Sequence, residues 1–151
     1  MSLALLRRHP DLTSVVVDIE NVCAAGRQIA AENQLEDRIA YLAADLVGGA
    51  LPGGFDLALE CDVGIYTEPM FSQVRASLEE GGRFVIVDQL AETEDAVPAR
   101  VLHWTFTASI TQPSGAPTTT ARLKGLLTEC GFTVLSESAL PDGYQLIEAR
   151  A

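Results

Sequence analysis

TSVVVDIENV, residues 13–22, is the stretch on which the reading of this chain turns. The consecutive Val15, Val16 and Val17 predict a strand buried on both faces. β-Branched side chains suit the pleat, and a central parallel strand shows no polar alternation. The strand, Thr13–Asp18, stops at Asp18, and Asn21 is then expected to cap the apolar-periodic helix that follows. An acid at the carboxyl end of a parallel strand, just before a helix, is where doubly wound folds hold a ribose by its hydroxyls. The plainer reading is that Asp18 or Glu20 caps the helix start. The remainder of the chain tips the balance.

Outward from that stretch, Leu3–His9 reads as the end of a helix closed by Pro10, and looks like the remainder of a longer element. Asn21–Gln34 carries Val22, Ala25, Ile29 and Ala30 at helical spacing, with small residues that allow close packing on a sheet. Ile39–Ala44 is a second strand ending at Asp45, and residues 48–54 form a turn-rich loop. Phe55–Val63 is a third buried strand. The helix Thr67–Glu80 has Thr67 as its cap, Glu68 in the first turn, and Gly81-Gly82 as its end. Arg83–Asp88 is the fourth strand. Val97–Thr111 is a hydrophobic helix with His103, Trp104 and Phe106, and Thr118–Cys130 is an amphipathic one. Phe132–Ser138 and Tyr144–Arg150 form an antiparallel pair turned at Pro141-Asp142-Gly143. Strands alternate with helices before a terminal hairpin, which defines an α/β layered domain.

The chain has 151 residues and 48% hydrophobic content, enough for one domain with a real core. A net charge of −11 argues against nucleic acid and anionic membranes as partners, since phosphates would be repelled. Cys23, Cys61 and Cys130 show neither a C-x-x-C pair nor metal-ligand spacing, which points to reduced thiols and a cytoplasmic setting, with no metal site. Neither a signal peptide nor a run of membrane-spanning length is present. The two histidines are far apart and suggest neither a nucleophilic triad nor a ligand set.

LLRRHPDL, VVVDIENV, LEDRIAYLAADL, LPGGFDLAL, VRASLEEGGRFVIVD and LLTECGFTVL, in that order and spacing, resemble the class I S-adenosylmethionine-dependent methyltransferases. Within that class they are most similar to the plant-type and polyketide-tailoring small-molecule O-methyltransferases. The resemblance implies an incomplete Rossmann-like, mostly parallel sheet with a C-terminal antiparallel hairpin and helices on both faces, in a single domain over residues 1–151. It implies S-adenosylmethionine as cofactor, with Asp18 on the ribose, Asp45 beside the adenine, Leu46 against the ring, and Cys61 and Asp62 near the methionine portion. Tyr66, Trp104 and Phe106 would line the pocket of a small-molecule acceptor. A homo-oligomer is expected.

Two departures stand out. The family's glycine-rich loop after its first strand is absent, as is that strand; glycine is needed there because a Cβ would obstruct the cofactor. The resemblance therefore implies an N-terminally truncated domain. The strands matching Val15–Asp18 and Phe55–Val63 would pair directly, be bridged by a partner chain, or leave the domain unstable alone. The histidine base that usually follows the third strand here is also missing, for residues 64–69 read GIYTEP. His103 is the sole internal histidine and the catalytic candidate on the strength of imidazole chemistry alone; the alternative is a core or pocket histidine. Methyl transfer by alignment without a base is a further option. The functional readings are an O-methyltransferase domain for a small aromatic or polyketide-like hydroxyl, a non-catalytic methyltransferase-like fragment acting by association, and an unrelated doubly wound binding module.

Overall fold

A computed structural model describes residues 1–44, 51–64, 66–91, 93, 99, 101, 102, 106 and 118–151. The chain divides into two compact units, Met1–Ala50 and Leu51–Ala151.

In the first unit, α1 (Ser2–Arg8) leads into β1 (Ser14–Asp18), α2 (Glu20–Glu32) and β2 (Ile39–Ala43). β1 and β2 pair in parallel from Ser14 opposite Ile39 to Asp18 opposite Ala43. Leu6, Ala30, Leu35 and Ile39 form the core, with Val16 and Tyr41 packed on it. Arg38 ties the unit together: its guanidinium donates to the carbonyls of Leu6 (3.0 Å), His9 (2.6 Å) and Leu12 (2.8 Å). The cation thus meets the carbonyl end of α1, where the last turn has no partners of its own.

Three expectations are corrected here. The valine strand is half-buried at all five positions, not buried on both faces, since β1 has one strand neighbour among the described residues. Helix α2 begins two residues early: Ile19 is its N-cap, without a side-chain cap, and Asn21 lies inside the helix. Its buried residues are Cys23 and Ala30, with the half-buried Gly26 between them, whereas Val22 and Ile29 are exposed. Gly26 explains the rotation, because a Cβ there would lie 2.2 Å from the Tyr41 ring; the helix can approach the sheet closely only on the glycine side.

In the second unit, β3 (Phe55–Cys61), α3 (Glu68–Ser77), β4 (Leu78–Asp88), α4 (Thr120–Glu129), β5 (Thr133–Ala139) and β6 (Gln145–Arg150) build one sheet of order β3-β4-β6-β5. β3 runs parallel to β4; β6 is antiparallel to both β4 and β5. The terminal hairpin is therefore present, closed by a single 3₁₀ turn at Pro141–Gly143 in which Asp142 takes φ 61°. Met70, Phe71 and Val74 of α3 and Leu123 and Leu127 of α4 pack on Phe84, Ile86 and Ile147. Phe71 meets Phe84 edge-on at 5.6 Å between centroids.

Thr67 caps α3 by accepting from the Met70 amide at 3.4 Å. The helix stops at Ser77, not Glu80, and Gly81-Gly82 lies inside β4. Leu78 already pairs with Phe55, and Gly81 at φ +77° lets the strand bend before Arg83 resumes the ladder. The third strand is not uniformly buried either: Leu57 and Leu59 are 43% and 39% exposed, while Glu60 between Leu59 and Cys61 is buried.

Candidate functional site at the carboxyl ends of the strands

Two strands end alike. β1 closes on Asp18 and β4 on Asp88, and in each case one carboxylate oxygen accepts the amide of the next residue: Ile19 at 2.8 Å and Gln89 at 2.6 Å. This turn geometry fixes each acid at its strand terminus. Asp18 is half-buried, and its second oxygen is unengaged among the described residues. A half-exposed carboxylate with one spare oxygen at a parallel strand's carboxyl end fits a ribose diol. Cys23 donates its thiol to the Asp18 carbonyl at 3.4 Å, anchoring the start of α2.

The second unit concentrates its unusual chemistry at the ends of β3 and β4. Glu60 pairs across the strands with Ile86, which places Glu60, Ile86 and Asp88 on one face of the sheet. One Glu60 oxygen, Oε1, accepts the Val63 amide at 2.8 Å; the other, Oε2, is buried without a partner among the described residues. Burial pushes the Glu60 carboxyl up to about 7; the Val63 amide and, more weakly, the Gly64 amide oppose this, and the charges of Asp88 and Asp62 reinforce it. The Asp88 carboxyl is also raised by burial, against the donation of the Tyr66 hydroxyl to its Oδ2. Tyr66 is held protonated well beyond the ordinary phenol range by burial and by the neighbouring Glu60 and Asp88. Burial and Glu60 raise the Cys61 thiol as well. Asp62 sits at φ 58° in the turn that follows.

Tyr66 stacks obliquely on Phe71, 6.2 Å between centroids, and its ring borders a groove of about 500 Å³ shared with Glu68, Arg122, Leu126 and Glu129. Of the residues singled out in the sequence, Cys61, Asp62 and Tyr66 thus gather in the second unit, and Asp18 stands at a strand end in the first. Phe106 is helical and 68% exposed. Asp45, Leu46, His103 and Trp104 lie outside the described residues, as does most of Val97–Thr111. Sequence reasoning missed Glu60 and Asp88. The signals were present: an acid interrupting the apolar run LALEC, and a strand FVIVD ending as SVVVD does.

The chain has the α/β fold of the class I methyltransferases, and it resembles the O-methyltransferases in sequence as well as in fold. It is 34% identical over 102 residues, 64% of the chain, to 3-hydroxy-5-methyl-1-naphthoate 3-O-methyltransferase of Streptomyces sahachiroi. An O-methyltransferase-like protein of Nostoc punctiforme superposes with a TM-score of 0.88 over 99% of the chain, at 18% identity. The S-adenosylmethionine-dependent methyltransferase SibL in its apo form does so at 0.78 over 99%, with 22% identity. The chain spans 29% of the Streptomyces enzyme and 47% and 46% of the two solved chains. No family model matches it.

Proposed function

We propose that this chain serves S-adenosylmethionine-dependent O-methylation of a hydroxyl on a small aromatic or polyketide-like acceptor. The observation that carries the reading is the superposition on an O-methyltransferase-like fold over nearly every residue, joined to 34% identity with a naphthoate O-methyltransferase. Asp18 would hold the ribose and Asp45 and Leu46 the adenine; Cys61 and Asp62 would border the methionine portion. Tyr66, Trp104 and Phe106 would line the acceptor site, with His103 as a candidate base. When bound, the cofactor supplies an electrophilic methyl on a sulfonium. The chain's own task is to align the acceptor oxygen with it and to receive the hydroxyl proton. A cytoplasmic homo-oligomer is the proposed setting; among the described residues no helix is long and apolar enough to cross a membrane.

Titration calorimetry with S-adenosylhomocysteine tests the reading. Binding is expected, weakened about tenfold or more by Asp18→Ala, in line with the loss of a charge-assisted hydrogen bond. A folded sample that takes up no ligand at millimolar concentration refutes it. One observation favours a second reading, association without catalysis. β1 and β3 each have a strand neighbour on one side only among the described residues, and such edges invite pairing with another chain. Light scattering separates the two: a strict monomer that binds the ligand counts against association.

A further inference from the structure

We propose that Glu60 is the proton acceptor for the hydroxyl of the methyl acceptor, with the Asp88–Tyr66 pair as its positioning partners. This rests on the methyl-transfer reading above but concerns a residue that neither the histidine expectation nor the relatives' names point to.

Three placements converge on it. Glu60 and Asp88 lie on the same sheet face at the carboxyl ends of adjacent parallel strands, the location at which open α/β sheets bind ligands. Glu60 is only 5% exposed, yet its Oε2 has no partner among the described residues. A buried carboxyl oxygen without a donor is costly to maintain, and a ligand hydroxyl would supply the hydrogen bond that is missing. Asp88 has both of its oxygens held, one by the Gln89 amide and the other by the Tyr66 hydroxyl, whereas Glu60 keeps one oxygen without a donor, which makes Glu60 the better placed of the two to meet a ligand. Asp88 acts on Glu60 by charge.

The proton step balances simply. The acceptor's O–H bond breaks, the proton passes to Oε2 of the ionised Glu60, and the electron pair stays on the acceptor oxygen. The carboxyl group is left neutral. Burial holds Glu60 near 7, so it is ionised in a substantial fraction at neutral pH and still basic enough to take the proton. The groups that bear on it are Asp88 from β4, and Asp62, Cys61 and Tyr66 from the end of β3 and the turn after it. All of them are acidic or neutral; none lowers its proton affinity by positive charge.

The test is the pH dependence of binding of 2-naphthol, an aryl alcohol, to the chain saturated with S-adenosylhomocysteine, followed by naphthol fluorescence. Ionised Glu60 accepts from the naphthol at Oε2, whereas on protonation Oε2 carries the proton, since Oε1 accepts the Val63 amide, and is no longer a strong acceptor. With a midpoint near 7, the apparent affinity should rise about tenfold from pH 6 to pH 8. Glu60→Gln should bind naphthol with no such dependence, and Asp88→Asn should move the midpoint to lower pH. If Glu60→Gln does not fold, the wild-type profile and the Asp88→Asn shift decide. A flat wild-type profile, absence of naphthol binding, or an unshifted midpoint in Asp88→Asn overturns the assignment. Failure of S-adenosylhomocysteine to bind is a separate result. It removes the methyl-donor reading, while a naphthol profile governed by Glu60, then recorded on the ligand-free chain, would still establish the hydroxyl site.

Discussion

Replacing Glu60 with glutamine should change how stability responds to pH, and the size of the change follows from the burial of one carboxyl group. In the folded chain that group titrates near 7, against 4.5 when unperturbed. Between those values the native state holds a proton that the unfolded chain has released, so stability falls as pH rises through this window. The contribution is fully present below 4.5 and lost above about 7. At about 1.4 kcal/mol per pH unit, the interval amounts to roughly 3 kcal/mol. Asp88, raised in the same direction, adds to the slope in both proteins. Glutamine keeps the shape and removes the ionisation. Glu60→Gln should therefore match the wild type near pH 4.5 and exceed it by roughly 3 kcal/mol at pH 8. Urea denaturation followed by far-ultraviolet circular dichroism, repeated across that range, measures the difference. Parallel wild-type and variant curves would show that Glu60 is solvated and would remove the physical basis for giving it a special role.

Gly26→Ala should destabilise the first unit even though alanine favours helix by about 1 kcal/mol. The new Cβ would meet Tyr41 Cε1 at 2.2 Å and Cζ at 2.7 Å, and overpacking of that kind costs about 1–3 kcal/mol; a urea midpoint that rises in Gly26→Ala, or fails to recover in the double variant with Tyr41→Leu, would contradict the close approach. Arg38→Met should release the end of α1, at a cost of about 2 kcal/mol for charge-assisted bonds to three carbonyls. Hydrogen exchange at the His9 amide, which donates to Leu5 at 2.9 Å, should accelerate; unchanged protection would mean that the guanidinium is dispensable.

Much of the architecture was legible in the sequence because it rests on local chemistry. The valine run, Thr67 before an amphipathic helix, and Pro141-Asp142-Gly143 between two strands each specify their element through propensity or turn geometry, and each element is present. What escaped depends on contacts remote in sequence. The side of α2 that faces the sheet is decided by the Tyr41 ring 15 positions beyond Gly26, not by which residues are most apolar. Gly81-Gly82 reads as a helix end, yet the pairing of Leu78 with Phe55 draws that segment into β4. The site shows the same division. Asp18 could be singled out from its place after a strand, whereas Glu60 looked like one acid in an apolar run. Only the register against β4 brings it beside Asp88 and reveals the oxygen left without a donor.

The sheet order β3-β4-β6-β5 constrains the sequence of events during synthesis. β5 emerges before β6 yet pairs with no other strand among the described residues, and β6 is what joins it to β4. A nascent chain halted before Gln145 can hold β3 against β4, but it leaves β5 unmatched and the open side of β4 uncovered. A chain cut short before Gln145 would expose two pairing edges at once, a hazard for aggregation that ends only when the intervening strand slots in.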